Sequence, residues 1–366
     1  MAPHVFQLLR YDVTLPDNKP LAEIRLKCLK SKLCKDPDMH QKYTQQMEDY
    51  IQKGYASHAD EQSAEGRTWY LPHHGVTSAA KPGKVRVVFD AAAKYRGTSL
   101  NDNLVQGPDL VNSLVGVLIR FRQEPVALVG DIEAMFHQVK VSDPDRDALR
   151  FLWWKHGNLD GPVEVYRMNS HVFGAKSSPS CAAYALKKTA ADQQGNYEPS
   201  LIKAVNRNFY VDDLLTSTTS VSEAVNLVTG LRSLLHKGGF KLKKWASNSR
   251  DVLAAVPEAE RAPALISLDL HDDLSNDRAL GVYWDIEEDC FTFKTKEDDK
   301  QLTRRGILSM VASLFDPLGL VAPTAWTPSG CYRSFAATTM AGMIQLHRWM
   351  WPRGYSGAKS TCIWQK

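Results

Sequence analysis

The chain has 366 residues, and its 43% hydrophobic and 23% charged residues are the proportions of a globular protein rather than a disordered one. A net charge of +4 permits a nucleic-acid partner without requiring one, because binding depends on whether Lys and Arg cluster on one face. The six cysteines include no CxxC pair, which argues against zinc-ribbon, disulfide-scaffold and thioredoxin-type proteins. The sequence has no signal peptide and no apolar run long enough to span a bilayer, so we expect an intracellular protein, not secreted and without a membrane partner.

Two amphipathic helices are predicted near the start of the chain. The first has an apolar stripe at helical spacing: Ile24, Leu26, Leu29 and Leu33. The second begins at Asp36, a capping residue followed by Pro37, and ends before Gly54. We interpret both helices as packing elements or as support on the template side.

Further along the chain, helices and strands are mixed without the regular alternation of a doubly wound sheet. In chain order the predicted elements are a strand at 84–89, a helix at 108–122, a strand at 126–130, strands at 149–154 and 163–168, a helix at 178–190, a hairpin at 208–215 and a helix at 221–235. The order favours an α+β fold with a small antiparallel sheet.

Three aspartates stand at the ends of apolar strands. Asp131 follows one predicted strand, and Asp212 and Asp213 lie side by side at the tip of the predicted hairpin. Adjacent carboxylates beside a buried strand cost electrostatic free energy unless cations compensate them. Magnesium does so naturally because it takes carboxylate and phosphate oxygens together. A lone aspartate at a strand end is usually a turn or capping residue, but a paired aspartate tip plus a third strand-end aspartate favours a metal site.

A series of motifs occurs in order along the chain: WYLPHHG at 69–75, KVRVVFD at 84–90, SLND at 99–102, GPD at 107–109, DIEAMF at 131–136, FGAKSSP at 173–179, YVDD at 210–213, GFKLKKW at 239–245, LGVY at 280–283 and SLFDPLG at 313–319. These motifs resemble those of reverse transcriptases from LTR retrotransposons of the BEL/Pao group. The resemblance extends from about residue 21 to about residue 323 of the chain.

This resemblance implies a right-hand polymerase fold with fingers, a palm that carries the small antiparallel sheet, and a partial thumb. It implies an N-terminal helical extension at 1–68, fingers and palm at 69–275, and the primer grip and start of the thumb at 276–325. An amphipathic helix from Thr303 resembles the first thumb helix. The remaining 326–366 is a divergent tail that we predict to be poorly ordered, and the chain resembles a fragment of a longer polyprotein.

The family's catalytic carboxylates map onto Asp131, Asp212 and Asp213. The resemblance implies that they hold two Mg²⁺ or Mn²⁺ ions. Asp131 and Asp212 are expected to be direct ligands, and Asp213 to support them.

The resemblance also implies that Lys84, Arg86, Phe136 and Tyr210 bind the incoming nucleotide. Arg suits a triphosphate because its planar fork binds phosphate oxygens with two hydrogen bonds. Lys81 competes with Lys84 for the partner role. Phe136 is expected to exclude a 2′-hydroxyl and so to select deoxynucleotides. From the residues alone, Phe136 reads as a core side chain, and the two basic residues as one face of a solvated strand.

Leu280 and Gly281 occupy the position of the primer grip, which sets the primer 3′-end. Lys241, Lys243 and Lys244 form a basic run with several possible roles. They either donate a proton to pyrophosphate, contact the nucleic-acid backbone or are simply solvated, and the sequence leaves these alternatives open.

Three other residues need an interpretation. Phe173 stands where many related enzymes have glutamine, so a polar contact to the nucleotide is lost. His73 and His74 have no Cys or His cluster around them in the sequence, and we predict that they are structural rather than metal ligands.

Two functions from different classes follow. The first is an RNA-directed DNA polymerase that transfers dNTPs to a primer 3′-hydroxyl on an RNA or DNA template. The second is a catalytically inactive retroelement remnant that at most binds nucleic acid. An aspartic peptidase is a distant third because no Asp-Thr-Gly or Asp-Ser-Gly tripeptide occurs. No Asp or Glu follows Asp316, so the last residues are not expected to form a ribonuclease H or an integrase, and the oligomeric state is left open.

Overall fold

The computed structural model describes residues 5–6, 8–10, 13–60, 65–78, 81–262, 277–279, 282–286, 289–294, 316–319 and 343–346. The chain divides into two compact units, each built from several segments. Unit 1 consists of Met1–Val111, Glu133–Glu198 and Ser233–Lys241, and unit 2 of Asn112–Ile132, Pro199–Arg232 and Leu242–Lys366. Within the described ranges, no helix combines the length and the apolar character needed to cross a membrane.

The regular elements are short and mixed along the chain. The α-helices are α1 (Lys19–Leu33), α2 (Pro37–Gln52), α3 (Leu100–Asn103), α4 (Leu114–Phe121), α5 (Met135–Gln138), α6 (Ser178–Asp192), α7 (Pro199–Arg207), α8 (Val221–Lys237) and α9 (Arg250–Ala254). The strands are β1 (Val5–Phe6), β2 (Ala56–His58), β3 (His73–Ser78), β4 (Lys81–Phe89), β5 (Val126–Ile132), β6 (Lys140–Val141), β7 (Arg150–Trp154), β8 (Val163–Met168), β9 (Phe209–Tyr210), β10 (Asp213–Thr218), β11 (Leu242–Ser247), β12 (Asp277–Ala279), β13 (Val282–Asp285), β14 (Cys290–Lys294) and β15 (Met343–Leu346). Short 3₁₀ turns occur at Asp143–Leu149, Lys155–Gly157 and Glu258–Glu260.

Unit 1 packs α1 and α2 with the hairpin β3–β4 and the antiparallel sheet β2-β8-β7 around one hydrophobic core. Aromatic side chains fill its centre, where the Tyr43 ring stacks on Trp153 with centroids 5.2 Å apart. As predicted, Asp36 caps the start of α2, and its carboxylate accepts a hydrogen bond from the Met39 backbone N–H. The two N-terminal helices are therefore part of the core of this unit.

Unit 2 contains a four-stranded antiparallel sheet in the order β11-β5-β10-β9. The central strand β5 is almost entirely buried, because β10 and β11 flank it and α4 packs beside the sheet. Val117, Leu118 and Phe121 of α4 join Val129 and Leu215 in the core. The fold is thus mixed α and β with small antiparallel sheets, as the sequence indicates.

A second antiparallel sheet of unit 2 has the order β12-β13-β14-β15. Its strand β13 contributes Trp284, a fully buried side chain whose ring meets Phe121 edge-on at 5.0 Å. Arg122 forms a bidentate ion pair with Asp289 in the turn between β13 and β14. Four residues of the predicted divergent tail form β15, and the rest of that tail lies outside the described residues.

The helix predicted at 108–122 is wrong at its start, because α4 begins only at Leu114. The Asp109 carboxylate accepts a hydrogen bond from the Val111 N–H, a local turn that competes with a helical backbone. The apolar residues at helical spacing in this segment are expected to be buried, but Val115 and Ile119 are 41% and 50% exposed. On α1, Ile24 is likewise exposed instead of buried.

Candidate functional site

The paired aspartates lie in a tight hairpin of unit 2. Tyr210 is the register partner of Asp213, so only Val211 and Asp212 connect β9 to β10. Val211 has φ 57°, a left-handed conformation that is rare for a β-branched residue. Such backbone strain is found preferentially where a side chain or backbone must be aimed for function, and here it shapes the tip that carries the aspartates.

Asp131 and Asp213 face each other across neighbouring strands. They are direct register partners in the antiparallel pair β5–β10, and opposite residues of such a pair project from the same face. The Asp212 carbonyl accepts a hydrogen bond from the Ile132 N–H at 2.9 Å, which ties the hairpin tip to the end of β5. The structure therefore makes Asp131 and Asp213 neighbours across two strands, and Asp212 precedes Asp213 in the hairpin turn. Two like charges in this position destabilise a sheet unless a cation lies beside them.

A basic residue lies beside this acidic pair, on the other neighbour of β5. In β11, Lys243 is the register partner of Asp131, and the Lys244 Nζ lies 2.6 Å from an Asp131 carboxylate oxygen. The sequence does not distinguish the role of Lys244 from those of Lys241 and Lys243. Only the pairing of β11 with β5 shows that Lys244 lies beside Asp131.

An irregularity in β11 produces this contact. Lys243 pairs with Asp131 and Ala246 with Val129, so β11 has one residue more than β5 over the same stretch. This is a β-bulge, which redirects the side chains that follow it. Lys244 has φ 53° at this point.

Trp245 packs over Gly130 on the buried side of the same bulge. A Cβ at Gly130 would lie 3.3 Å from the Trp245 ring, a tight contact, so glycine lets the indole pack closely against the strand. The Trp245 side chain is 1% exposed. Its packing therefore anchors the bulged segment to β5.

The chemistry of these side chains suits a divalent cation. Carboxylate oxygens are the ligands that Mg²⁺ and Mn²⁺ prefer. Asp131 in β5 and Asp213 in β10 supply them from adjacent strands, and Asp212 from the turn before β10. The ammonium of Lys244 already places a positive charge at Asp131. In the described part of the chain, no three His, Cys, Asp or Glu side chains are grouped closely enough to form a ready metal site.

The expected nucleotide-binding residues of unit 1 lie in two places. Arg86 is exposed in β4 between the buried Val85 and Val87, as the alternating pattern predicts. The side chain of Lys84 lies outside the described parts of the structure. Phe136 is buried in α5, and its ring centroid lies 4.6 Å from that of Phe173, which is 49% exposed. The steric role of Phe136 and the phosphate role of Arg86 stay predictions.

Asn101 holds the loop that begins at Phe173. Its amide nitrogen donates to the Gly174 carbonyl and its amide oxygen accepts from the Lys176 N–H, both at 2.9 Å. Gly174 has φ 102°, and a Cβ there would lie 2.6 Å from the Phe89 carbonyl oxygen. The SLND motif contains Asn101, but the sequence alone indicates no role for this residue. The structure gives it one, as a clamp on this loop.

His73 is structural, as expected. It is buried, and it lies between the Tyr43 hydroxyl and the Leu152 carbonyl, which its ring nitrogens contact by hydrogen bonds. Burial lowers its pKa to about 4. A neutral ring suits this position because one nitrogen can accept from Tyr43 while the other donates to Leu152.

Two predicted elements lie outside the described residues. One is the primer-grip pair Leu280 and Gly281, and the other is the helix expected from Thr303. The strands on either side of Leu280 and Gly281 are described: β12 ends at Ala279, which pairs with Val282 at the start of β13.

Comparison with known proteins finds no family model and no curated protein that matches the chain. Among solved structures, the chain is similar to a foamy viral protease-reverse transcriptase in complex with double-stranded DNA, with 14% identity and a TM-score of 0.49 over 85% of this chain and 44% of that one. It is also similar to a mutant of the prototype foamy virus protease-reverse transcriptase, with 16% identity and a TM-score of 0.41 over 66% of this chain and 26% of that one. The chain thus spans less than half the length of either structure.

Proposed function

We propose that the chain is the polymerase part of a retroelement reverse transcriptase of the BEL/Pao type. It would transfer deoxynucleotides to the 3′-hydroxyl of a primer, directed by an RNA or DNA template. One observation carries the proposal: Asp131 faces Asp213 across β5 and β10, with Asp212 at the strained tip between β9 and β10.

Asp131, Asp212 and Asp213 would hold two Mg²⁺ or Mn²⁺ ions. When bound, such ions favour deprotonation of the primer hydroxyl and neutralise charge that develops on the phosphates. The role of the protein is to position the reacting groups, because phosphoryl transfer needs alignment and charge compensation more than covalent chemistry. The short hairpin suits this role since its tip is tied to β5 by the hydrogen bond between Asp212 and Ile132.

The incoming nucleotide and the primer would be bound by the other residues that the resemblance implicates. Arg86 would grip the triphosphate with its guanidinium fork, with Lys84 as its partner. Phe136 would select a deoxyribose by excluding the 2′-hydroxyl, and Tyr210 would line the site next to the aspartates. Leu280 and Gly281 would contact the primer end.

A non-catalytic remnant that binds nucleic acid is the second candidate. The observation that favours it is the ion pair between Lys244 and Asp131, which engages one of the three carboxylates. Nothing supports the aspartic peptidase alternative, because neither Asp-Thr-Gly nor Asp-Ser-Gly occurs in the sequence.

Primer extension by the purified full-length chain distinguishes the two candidates. The substrate is poly(rA)–oligo(dT) with dTTP and Mg²⁺ or Mn²⁺, and the variant is Asp212→Asn. Asp251→Asn, an exposed aspartate of α9 outside the site, is the matched control for loss of one carboxylate. Incorporation by the wild type and the control, but not by Asp212→Asn, supports the polymerase. If fluorescence anisotropy shows that the chain binds the RNA–DNA hybrid but no nucleotide is incorporated, the result supports the non-catalytic remnant.

A further inference from the structure

The contact between Lys244 and Asp131 joins opposite charges at the centre of the candidate site. The Lys244 side chain is 51% exposed and that of Asp131 is 22% exposed, so the ammonium reaches the carboxylate from the solvent side. A divalent cation that binds Asp131 would approach the same carboxylate, one oxygen of which Lys244 contacts. The lysine and the ion therefore compete for one carboxylate.

The backbone of β11 is arranged to make this contact. Successive residues of a regular strand project to opposite faces, so Lys243 and Lys244 would not both lie beside Asp131. The bulge between Lys243 and Ala246 removes that alternation, and Lys244 adopts a left-handed φ of 53° that costs conformational free energy for a lysine. The burial of Trp245 against Gly130 offsets this cost and keeps the bulge in place.

We propose that Lys244 is a positioning residue that holds the Asp131 carboxylate in the metal-free protein, and that a divalent cation has to displace its ammonium in order to bind. The proposal rests on the proposed function, because it takes Asp131 as a metal ligand. Lys244 compensates the repulsion between Asp131 and Asp213 before the ions arrive. The free energy of the contact between Lys244 and Asp131 is lost when an ion binds, so this contact lowers the apparent affinity of the site for the ions.

Removal of the Lys244 charge should therefore tighten the binding of divalent cations. Lys244→Met keeps the length of the side chain and the backbone conformation, and it removes the competing charge. An exposed ion pair of this kind corresponds to about a fivefold change in an equilibrium constant, so the apparent Kd for Mn²⁺ should fall about fivefold. A residue that only supported the fold would weaken Mn²⁺ binding when replaced. Lys244→Arg retains the charge and should remain within about twofold of the wild type.

The experiment is a Mn²⁺ titration of the full-length chain, with free Mn²⁺ followed by electron paramagnetic resonance. Lys241→Met is the matched control, because it removes the same charge from the same basic run. In an Asp131→Asn background, Lys244→Met should no longer tighten binding. Unchanged or weaker binding in Lys244→Met, or an equal gain in Lys241→Met, overturns the proposal.

A second measurement uses the wild-type chain and does not depend on the variants folding. Reductive methylation followed by mass spectrometry reports the accessibility of each lysine amine. Methylation of Lys244 should speed up when Mn²⁺ is added, while that of Lys241 should stay constant. An unchanged Lys244 rate at saturating Mn²⁺ contradicts displacement.

The two proposals fail in different ways. If primer extension fails while Mn²⁺ binding and Lys244 reactivity change as described, the polymerase assignment is wrong and displacement stands. If the folded wild type binds no Mn²⁺, both are overturned.

Discussion

The stability of unit 1 should fall steeply as the pH drops below neutrality. His73 is buried between the Tyr43 hydroxyl and the Leu152 carbonyl, and burial lowers its pKa to about 4. Burial likewise lowers the pKa values of His137 and His171 to about 4. All three side chains belong to unit 1. In the unfolded chain each should titrate near its ordinary value of about 6.5.

The sign follows from proton linkage. Between about pH 6.5 and the folded pKa of about 4, the unfolded chain binds protons that the folded chain does not, so the folded state loses stability as the pH falls. Each histidine contributes a slope of up to about 1.4 kcal/mol per pH unit in this window. From about pH 7 to about pH 5 the loss is about 2 kcal/mol per histidine, or about 6 kcal/mol for three. That is comparable with the whole stability of a typical domain.

The test is urea unfolding at about pH 7 and about pH 5, followed by tryptophan fluorescence, since Trp69 and Trp153 are fully buried in the same unit. His73→Gln keeps hydrogen-bonding groups but cannot titrate, so its loss of stability should be about 2 kcal/mol smaller than that of the wild type. His74→Gln, the exposed neighbour, is the control and should behave like the wild type. Equal stability at both pH values, or equal losses in His73→Gln and the wild type, refutes the argument.

Three further substitutions test the packing of unit 2 and the candidate site. Gly130→Ala should lower the free energy of unfolding by about 1 kcal/mol in urea titration, because its Cβ would lie 3.3 Å from the Trp245 ring; an unchanged value contradicts this packing. Arg122→Ala should cost about 2 kcal/mol in the same assay, because it leaves the carboxylate of Asp289 without its charged partner, and a loss below about 0.5 kcal/mol contradicts an anchoring role. Phe136→Val should raise ribonucleotide incorporation relative to deoxynucleotides in primer extension, and unchanged discrimination sinks the steric role.

The sequence predicts the elements that carry the aspartates because their signals are local. The tip of the β9–β10 hairpin is marked by apolar residues on both sides of Asp212 and Asp213, and the alternation from Val85 to Phe89 marks β4. The cap at Asp36 likewise acts on neighbouring residues only. Such patterns predict where a strand or helix lies without knowledge of the rest of the fold.

What could not be predicted depends on register or on competing local bonds. A bulge adds one residue to a strand and leaves no periodic pattern in the sequence. The sequence therefore could not predict that Lys244 lies beside Asp131. The apolar residues before Leu114 have helical spacing, but the turn at Asp109 uses the backbone differently. Long-range contacts such as that of Asn101 with the Gly174 loop leave no periodic signal either.

Template-directed incorporation of a single nucleotide tests the central claim most directly. The full-length chain is given a primer annealed to an RNA template of mixed sequence, Mg²⁺, and each of the four dNTPs in turn. We expect extension only with the nucleotide complementary to the template base, loss of extension with a chelator, and loss of extension in Asp131→Asn. A folded wild-type chain that binds the hybrid but adds no nucleotide, or equal extension by Asp131→Asn, contradicts the assignment of a polymerase site to these three aspartates.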